Sequence, residues 1–94
     1  MLKVSVIGLG KLGAPMAAVY ASKGFEVIGV DKNPLFVKDI NDGIAPVEED
    51  RLQDFINKSK GKLSATLDTI EAVKNTDVTF VIVPTPSGPD GSFT

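Results

Sequence analysis

The chain has 94 residues with a formal net charge of −2 at pH 7, and it contains neither cysteine nor histidine. This length supports one hydrophobic core at most. The small net charge gives no electrostatic reason to expect nucleic acid or a membrane as a partner. The sequence shows neither a bilayer-spanning run nor a secretory signal, so we expect a cytoplasmic protein. The missing residue types exclude disulfides, thiolate metal sites and histidine bases, so we predict no metal site and no catalytic residue within this chain.

A predicted buried strand at residues 2–7 leads into glycines at positions 8, 10 and 13, where a helical pattern begins. This G-x-G-x-x-G arrangement is typical of dinucleotide-binding turns. Gly8 allows a sharp turn, Gly10 leaves room for a pyrophosphate near the backbone, and Gly13 lets the helix pack close to the strand. The N–H groups at the start of that helix would then face the phosphates. The alternative is a tight strand-to-helix turn that binds no ligand.

The first helix is predicted over residues 11–23, and its larger apolar residues share one stripe with small alanines beside it. The stripe consists of Leu12, Pro15, Met16, Val19 and Tyr20, and the alanines that would contact the sheet are at positions 14, 17, 18 and 21.

The second strand, residues 26–30, ends at Asp31. An acid about twenty residues beyond the glycine motif is expected to accept hydrogen bonds from the adenosine ribose. Its charge would repel the additional phosphate of NADP, so we predict NAD as the cofactor and expect Asp31→Ala to weaken NAD far more than NADP. Lys32 could meet such a phosphate, although an ordinary exposed lysine is the favoured interpretation.

The remaining predicted elements follow in order. They are a helix from Pro34 to about Asn41 with Asn33 as its N-cap, a polar helix at 48–59, a strand at 62–67, a helix at 69–75 capped by Asp68, and a buried strand at 77–83. We expect Leu52, Phe55 and Ile56 to share one face, and Ile70 and Val73 to be buried. The acidic run 48–50 and the lysines at 58, 60 and 62 are interpreted as solvated surface and not as catalytic or phosphate-binding groups.

Alternating strands and helices predict a Rossmann-type doubly wound parallel sheet with three layers, α/β/α, and the first strand in the interior. Pro84 and Thr85 follow the last strand at the edge where open α/β sheets bind ligands, although the segment could equally be a rigid strand-ending turn. A full dinucleotide fold normally adds two strands, so we expect the front part of a longer protein and not a complete half-module.

These motifs form an ordered set that resembles the N-terminal domain of the UDP-glucose/GDP-mannose dehydrogenase family, the nucleotide-sugar 6-dehydrogenases. The set comprises residues 6–15, 27–31, 40–46, 63–68 and 83–86. The glycine motif is shared with many families, whereas the Asn-Asp-Gly…Pro stretch, the Ala-Thr-Leu-Asp strand and the Val-Pro-Thr-Pro turn are more specific together.

The resemblance implies an NAD-dependent enzyme of polysaccharide biosynthesis that oxidises the C6 alcohol of a UDP-sugar, of the UDP-glucose type, to the uronic acid in two hydride transfers. It implies a homo-oligomer whose nucleophilic cysteine, catalytic lysine and sugar-binding domain lie further along, so this chain alone is expected to be inactive. The implied cofactor-binding residues are Gly8, Gly10, Lys11, Leu12, Gly13, Asp31, Lys32, Val83, Pro84 and Thr85.

Three departures from the family pattern concern the cofactor and the sugar. Lys11 stands where an aromatic residue is frequent, Phe36 where a basic residue is frequent, and residues 48–51 replace a Tyr-Glu-Pro-Gly type sequence. Residues 10–17 also resemble the opening motif of β-hydroxyacid dehydrogenases, although 46–68 and 83–86 argue against that group. A non-catalytic NAD-binding regulatory module is the third reading, and a downstream reactive cysteine would distinguish it from the dehydrogenase.

Overall fold

The computed structural model of the chain describes residues 2–10, 12–47, 51–59 and 61–82. Four strands and four helices are formed, namely β1 (Lys3–Ile7), α1 (Gly13–Ser22), β2 (Glu26–Val30), α2 (Pro34–Asn41), α3 (Leu52–Lys58), β3 (Leu63–Thr66), α4 (Thr69–Lys74) and β4 (Val78–Val81). All strand pairs are parallel, and the sheet order is β3-β2-β1-β4. The predicted doubly wound sheet with β1 in its interior is therefore confirmed.

Helices cover both faces of the sheet, which confirms the three-layer architecture. Strand side chains alternate between the faces, and Val4 and Val6 lie buried on the face that α1 covers. Helix α3 packs against α1 on that same side. On the opposite face, Ala72 of α4 lies fully buried over β1 and β2. The carboxyl ends of the strands meet at one edge, and the glycine motif follows β1 there.

The alanines of α1 form its contact with the sheet, as predicted. All four, at positions 14, 17, 18 and 21, are buried, whereas Leu12 is 69% exposed and lies outside the core. Small side chains let the helix backbone approach the strands, so the larger residues of the predicted stripe lie at its margins. Tyr20 occupies one margin, where its ring stacks on Phe80 of β4 with the ring centroids 5.6 Å apart.

The predicted burial of Ile70 and Val73 is wrong. Ile70 is 72% exposed and Val73 is also exposed, because the six-residue helix α4 turns its single buried residue, Ala72, towards the sheet. Val81 of β4 is 61% exposed as well. Strand β4 pairs with β1 at one edge of the described sheet, so the expectation of a buried strand at 77–83 is not met.

Two predicted helix caps are present. The Asn33 side chain accepts a hydrogen bond from the Leu35 N–H at 2.9 Å, and Asp68 accepts one from the Glu71 N–H at 3.1 Å. Both caps satisfy a backbone donor that the first turn of a helix leaves without an intrahelical acceptor. The predicted starts of α2 and α4 are therefore confirmed.

The side-chain amide of Asn41 forms hydrogen bonds with the backbone of β3. The Asn41 Oδ1 accepts a hydrogen bond from the Ala65 N–H at 2.9 Å, and the Asn41 Nδ2 donates to the Ala65 carbonyl at 3.0 Å. Gln53 holds the following loop to α3 in the same manner, since it accepts from the Ala45 N–H and donates to the Gly43 carbonyl. The segment between α2 and β3 is thus fixed by two amides that pair with backbone.

The one serine buried within β1 has hydroxyl partners. Ser5 lies on the α4 side of the sheet, with its Oγ 2.7 Å from Thr79 Oγ1 and 3.0 Å from Thr76 Oγ1. This cluster satisfies a polar group that would be costly to bury alone, and it ties β1 to β4.

Within the described ranges, no helix combines the length and apolar character needed to cross a membrane.

Candidate functional site

The turn after β1 begins at Gly8, whose φ of 102° is a conformation that side chains strongly disfavour. Its N–H donates a 2.7 Å hydrogen bond to the Val30 carbonyl at the end of β2. A Cβ at Gly8 would lie 2.5 Å from the carbonyl oxygen of Ile82. The residue is therefore enclosed by the carboxyl ends of the strands on either side of β1.

Gly13 and Gly10 differ in their surroundings. A Cβ at Gly13 would overlap the carbonyl oxygen of Gly8, so α1 can begin here only with a glycine. A Cβ at Gly10 would meet no heavy atom of the described residues within 4 Å. Gly13 therefore has a packing role in the protein itself, while the space beside Gly10 is open to a ligand.

The beginning of α1 is suited to an anion. The Ala14 N–H is bonded to the Gly10 carbonyl at 3.0 Å, so the N–H groups before it precede the regular helical ladder. Leu12 occupies the N-cap without a side-chain hydrogen bond, and the first turn contains no acidic residue. These donors and the positive end of the helix dipole fit a pyrophosphate beside Gly10.

Leu9 joins the glycine turn to the core. Its side chain is fully buried, and a Cβ at Gly29 in β2 would lie 2.6 Å from Leu9 Cδ2. Our sequence analysis assigned no role to either residue. The signal for Gly29 was a glycine inside an otherwise apolar strand, which frequently marks a close approach of another segment.

Asp31 reaches back from the end of β2 to the glycine turn. Its Oδ2 accepts a hydrogen bond from the Leu9 N–H at 2.7 Å, and its Oδ1 accepts one from the Asn33 N–H at 2.9 Å. The neighbouring Lys32 is exposed. The structure therefore brings the predicted acid and the glycine motif together, and each carboxylate oxygen retains capacity for a further donor.

The predicted site residues Lys11, Val83, Pro84 and Thr85 lie outside the described residues, as do the acidic run 48–50 and Lys60.

Lys38 on α2 forms an ion pair away from the glycine turn. A hydrogen bond with Asp42 raises the pKa of the Lys38 ammonium group. Both side chains are largely exposed, so the pair is a surface feature of α2.

The sequence matches one protein family along nearly its whole length. Residues 2–93 match the family described as "UDP-glucose/GDP-mannose dehydrogenase family, NAD binding domain". A UDP-glucose 6-dehydrogenase of Haloferax volcanii is 40% identical over 93 residues, which cover 98% of this chain and 21% of that protein. A GDP-mannose 6-dehydrogenase of Pseudomonas syringae pv. syringae is 38% identical, with coverages of 98% and 22%.

Solved structures of similar sequence have a similar fold. A ternary complex of GDP-mannose dehydrogenase from Pseudomonas aeruginosa superposes with a TM-score of 0.89 at 38% identity, covering 97% of this chain and 21% of that one. A UDP-glucose dehydrogenase from Pyrobaculum islandicum gives a TM-score of 0.87 at 38% identity, with coverages of 98% and 22%. The chain spans roughly a fifth of the length of the curated relatives it matches.

Proposed function

This chain belongs to the UDP-glucose/GDP-mannose dehydrogenase family as its NAD-binding domain, and we propose that it supplies the cofactor site of an enzyme that oxidises the C6 alcohol of a UDP-glucose-type nucleotide sugar to a carboxylate. The observation that supports this most directly is the contact between Asp31 and the glycine turn at Leu9. The contact supports the proposal because it brings a carboxylate close to the turn that leads into α1, and a dinucleotide site needs an acid for the ribose near a helix start for the pyrophosphate.

In this proposal the adenosine half of NAD lies across the carboxyl edge of β1 and β2. The pyrophosphate approaches Gly10 and the first N–H groups of α1, because no described atom would lie within 4 Å of a Cβ at Gly10 and the first turn of α1 has no acidic side chain. The ribose hydroxyls donate to the remaining lone pairs of Asp31. Lys11, Lys32, Val83, Pro84 and Thr85 are proposed to complete the cofactor site.

The reaction of the whole protein is part of the proposal, because the chain corresponds to about a fifth of its relatives. NAD supplies the hydride acceptor when bound, and conversion of a primary alcohol to a carboxylate consumes two NAD and one water. We expect the nucleophile, the sugar-binding residues and the oligomer contacts to come from sequence beyond these motifs. The family match favours this reading over a β-hydroxyacid dehydrogenase.

The choice of sugar is tested separately from the choice of cofactor. Relatives named for UDP-glucose and for GDP-mannose are 40% and 38% identical, so identity alone supports both sugars about equally. We favour the UDP-sugar. Calorimetric titration with NADH and NADPH side by side should show a clear preference for NADH. NADH formation by the whole protein from UDP-glucose, UDP-N-acetylmannosamine and GDP-mannose should then be greatest with UDP-glucose, and turnover of GDP-mannose alone would contradict the proposed substrate.

A further inference from the structure

The glycine turn is held by three consecutive residues, the last two of β2 and Asp31 directly after it. Leu9 packs on Gly29, the Gly8 N–H donates to the Val30 carbonyl, and the Leu9 N–H donates to the Asp31 carboxylate. All three attachments are made by residues of the chain itself. Contacts within the protein therefore contribute to the position of the turn.

The attachment to Asp31 is the one that involves a charge. A carboxylate that accepts from a backbone N–H at 2.7 Å forms a short hydrogen bond, of the kind that is stronger than a bond between neutral groups. This hydrogen bond holds Leu9, the residue immediately before Gly10. No heavy atom of the described residues would lie within 4 Å of a Cβ at Gly10, so the space beside Gly10 can receive a ligand. The second carboxylate oxygen is held by the Asn33 N–H, which fixes the carboxylate plane.

We propose that Asp31 is a positioning residue for the glycine turn, in addition to any contact with the ribose. By holding the Leu9 N–H, its carboxylate keeps Gly10 and the start of α1 in the geometry that receives a pyrophosphate. This inference rests on the proposed NAD site. It has a consequence that a purely ribose-binding acid would not have, namely that Asp31 supports the binding of nucleotides that lack ribose hydroxyls.

The first test needs no nucleotide. Amide hydrogen exchange at Leu9 should accelerate by about tenfold or more in Asp31→Ala, because the variant removes a hydrogen bond to a charged group. Asp68→Ala is the matched control, since Asp68 also accepts from one backbone N–H, that of Glu71, at a helix start. The control should leave exchange at Leu9 unchanged. Unchanged exchange at Leu9 in Asp31→Ala would overturn the proposal.

Asp31→Asn guards against failure of the alanine variant to fold. It keeps the shape of the side chain and one oxygen acceptor but replaces the other oxygen with a donor, so one of the two backbone N–H groups loses its partner. Exchange should therefore accelerate at Leu9 or Asn33 in a folded protein. Wild-type protection at both amides would contradict a positioning role.

The second test separates positioning from ribose contact. Affinities for ADP and for 2′,3′-dideoxy-ADP are measured in the wild type, Asp31→Ala and Asp68→Ala. Asp31→Ala should weaken the dideoxy nucleotide by about ten- to a hundredfold, and ADP by more. A dideoxy affinity that stays at the wild-type value would limit Asp31 to the ribose. If the wild type binds neither nucleotide, the proposed NAD site fails, while the exchange measurement still decides the attachment of Leu9.

Discussion

The α carbon of Gly13 lies so close to the carbonyl oxygen of Gly8 that no side chain fits between the start of α1 and the end of β1. In Gly13→Ala the new methyl group would overlap a backbone atom, and neither segment can move without displacing the buried alanines of α1. We expect a loss of at least about 3 kcal/mol in the free energy of unfolding, measured by urea titration. A variant with wild-type stability would show that this contact has been misjudged.

Gly10→Ala is the companion to that variant and should behave differently. A Cβ there meets no described atom within 4 Å, and the backbone does not require a positive φ, so stability should change by less than about 1 kcal/mol. NADH affinity should nevertheless fall by about tenfold or more, because the methyl group occupies the space proposed for the pyrophosphate. Retained affinity in a stable variant would remove the pyrophosphate from this position.

Gly29→Ala should disturb the glycine turn from within β2. The added methyl group would lie 2.6 Å from Leu9 Cδ2, and Leu9 is fully buried, so the side chain has no free space to enter. Stability should decrease by about 1–3 kcal/mol, as is typical of overpacking.

A double-mutant cycle provides the control for Gly29. Leu9→Ala removes the atoms that the new methyl group would meet, so Gly29→Ala should cost less in that background than in the wild type. Equal costs in both backgrounds would show that the effect of Gly29→Ala does not arise from contact with Leu9. Thermal denaturation of all four proteins in parallel gives the comparison.

Asn41→Ala should weaken the closed edge of β3. The variant removes both hydrogen bonds to Ala65, and we expect a loss of about 1–2 kcal/mol in urea unfolding. Asn57→Ala is a suitable control because the Asn57 Oδ1 accepts a hydrogen bond from Gln53 Nε2 on the same helix, and the variant should cost less than about 0.5 kcal/mol. Similar losses in both variants would argue against a special role for Asn41.

A comparison of two isoleucines tests the exposure of Ile70, whose burial was predicted incorrectly from the sequence. Ile40→Ala should cost about 2–5 kcal/mol, because Ile40 is only 2% exposed in the core. Ile70→Ala should change stability by less than about 0.5 kcal/mol, because most of its surface is already in solvent. Chemical denaturation of both variants measures the two changes in stability. A large loss of stability in Ile70→Ala would mean that the Ile70 side chain is buried in solution.

Features that depend on neighbouring residues were predictable from the sequence. The caps at Asn33 and Asp68, the strand at 26–30 and the presence of a helix at the glycine motif follow from preferences that act within a few residues. The helix predicted over 11–23 is formed over Gly13–Ser22. The glycine motif and the acid after β2 also indicated a nucleotide site, because their spacing reflects one βαβ unit. Right-handed crossovers then predicted that the first strand lies in the interior of the sheet.

The sequence by itself therefore determined the βαβ unit and its family resemblance, and it predicted which residues would face a cofactor. The tertiary structure alone decided that Asp31 holds Leu9, that Leu9 fills the space over Gly29, and that Ile70 faces solvent. These outcomes depend on which atoms meet across 20 or more residues of chain and on which face of a helix the sheet can accept, as the 22-residue separation of Asp31 and Leu9 illustrates. Local propensity carries no information about such contacts, because they arise only when the packed layers fix the distances between them.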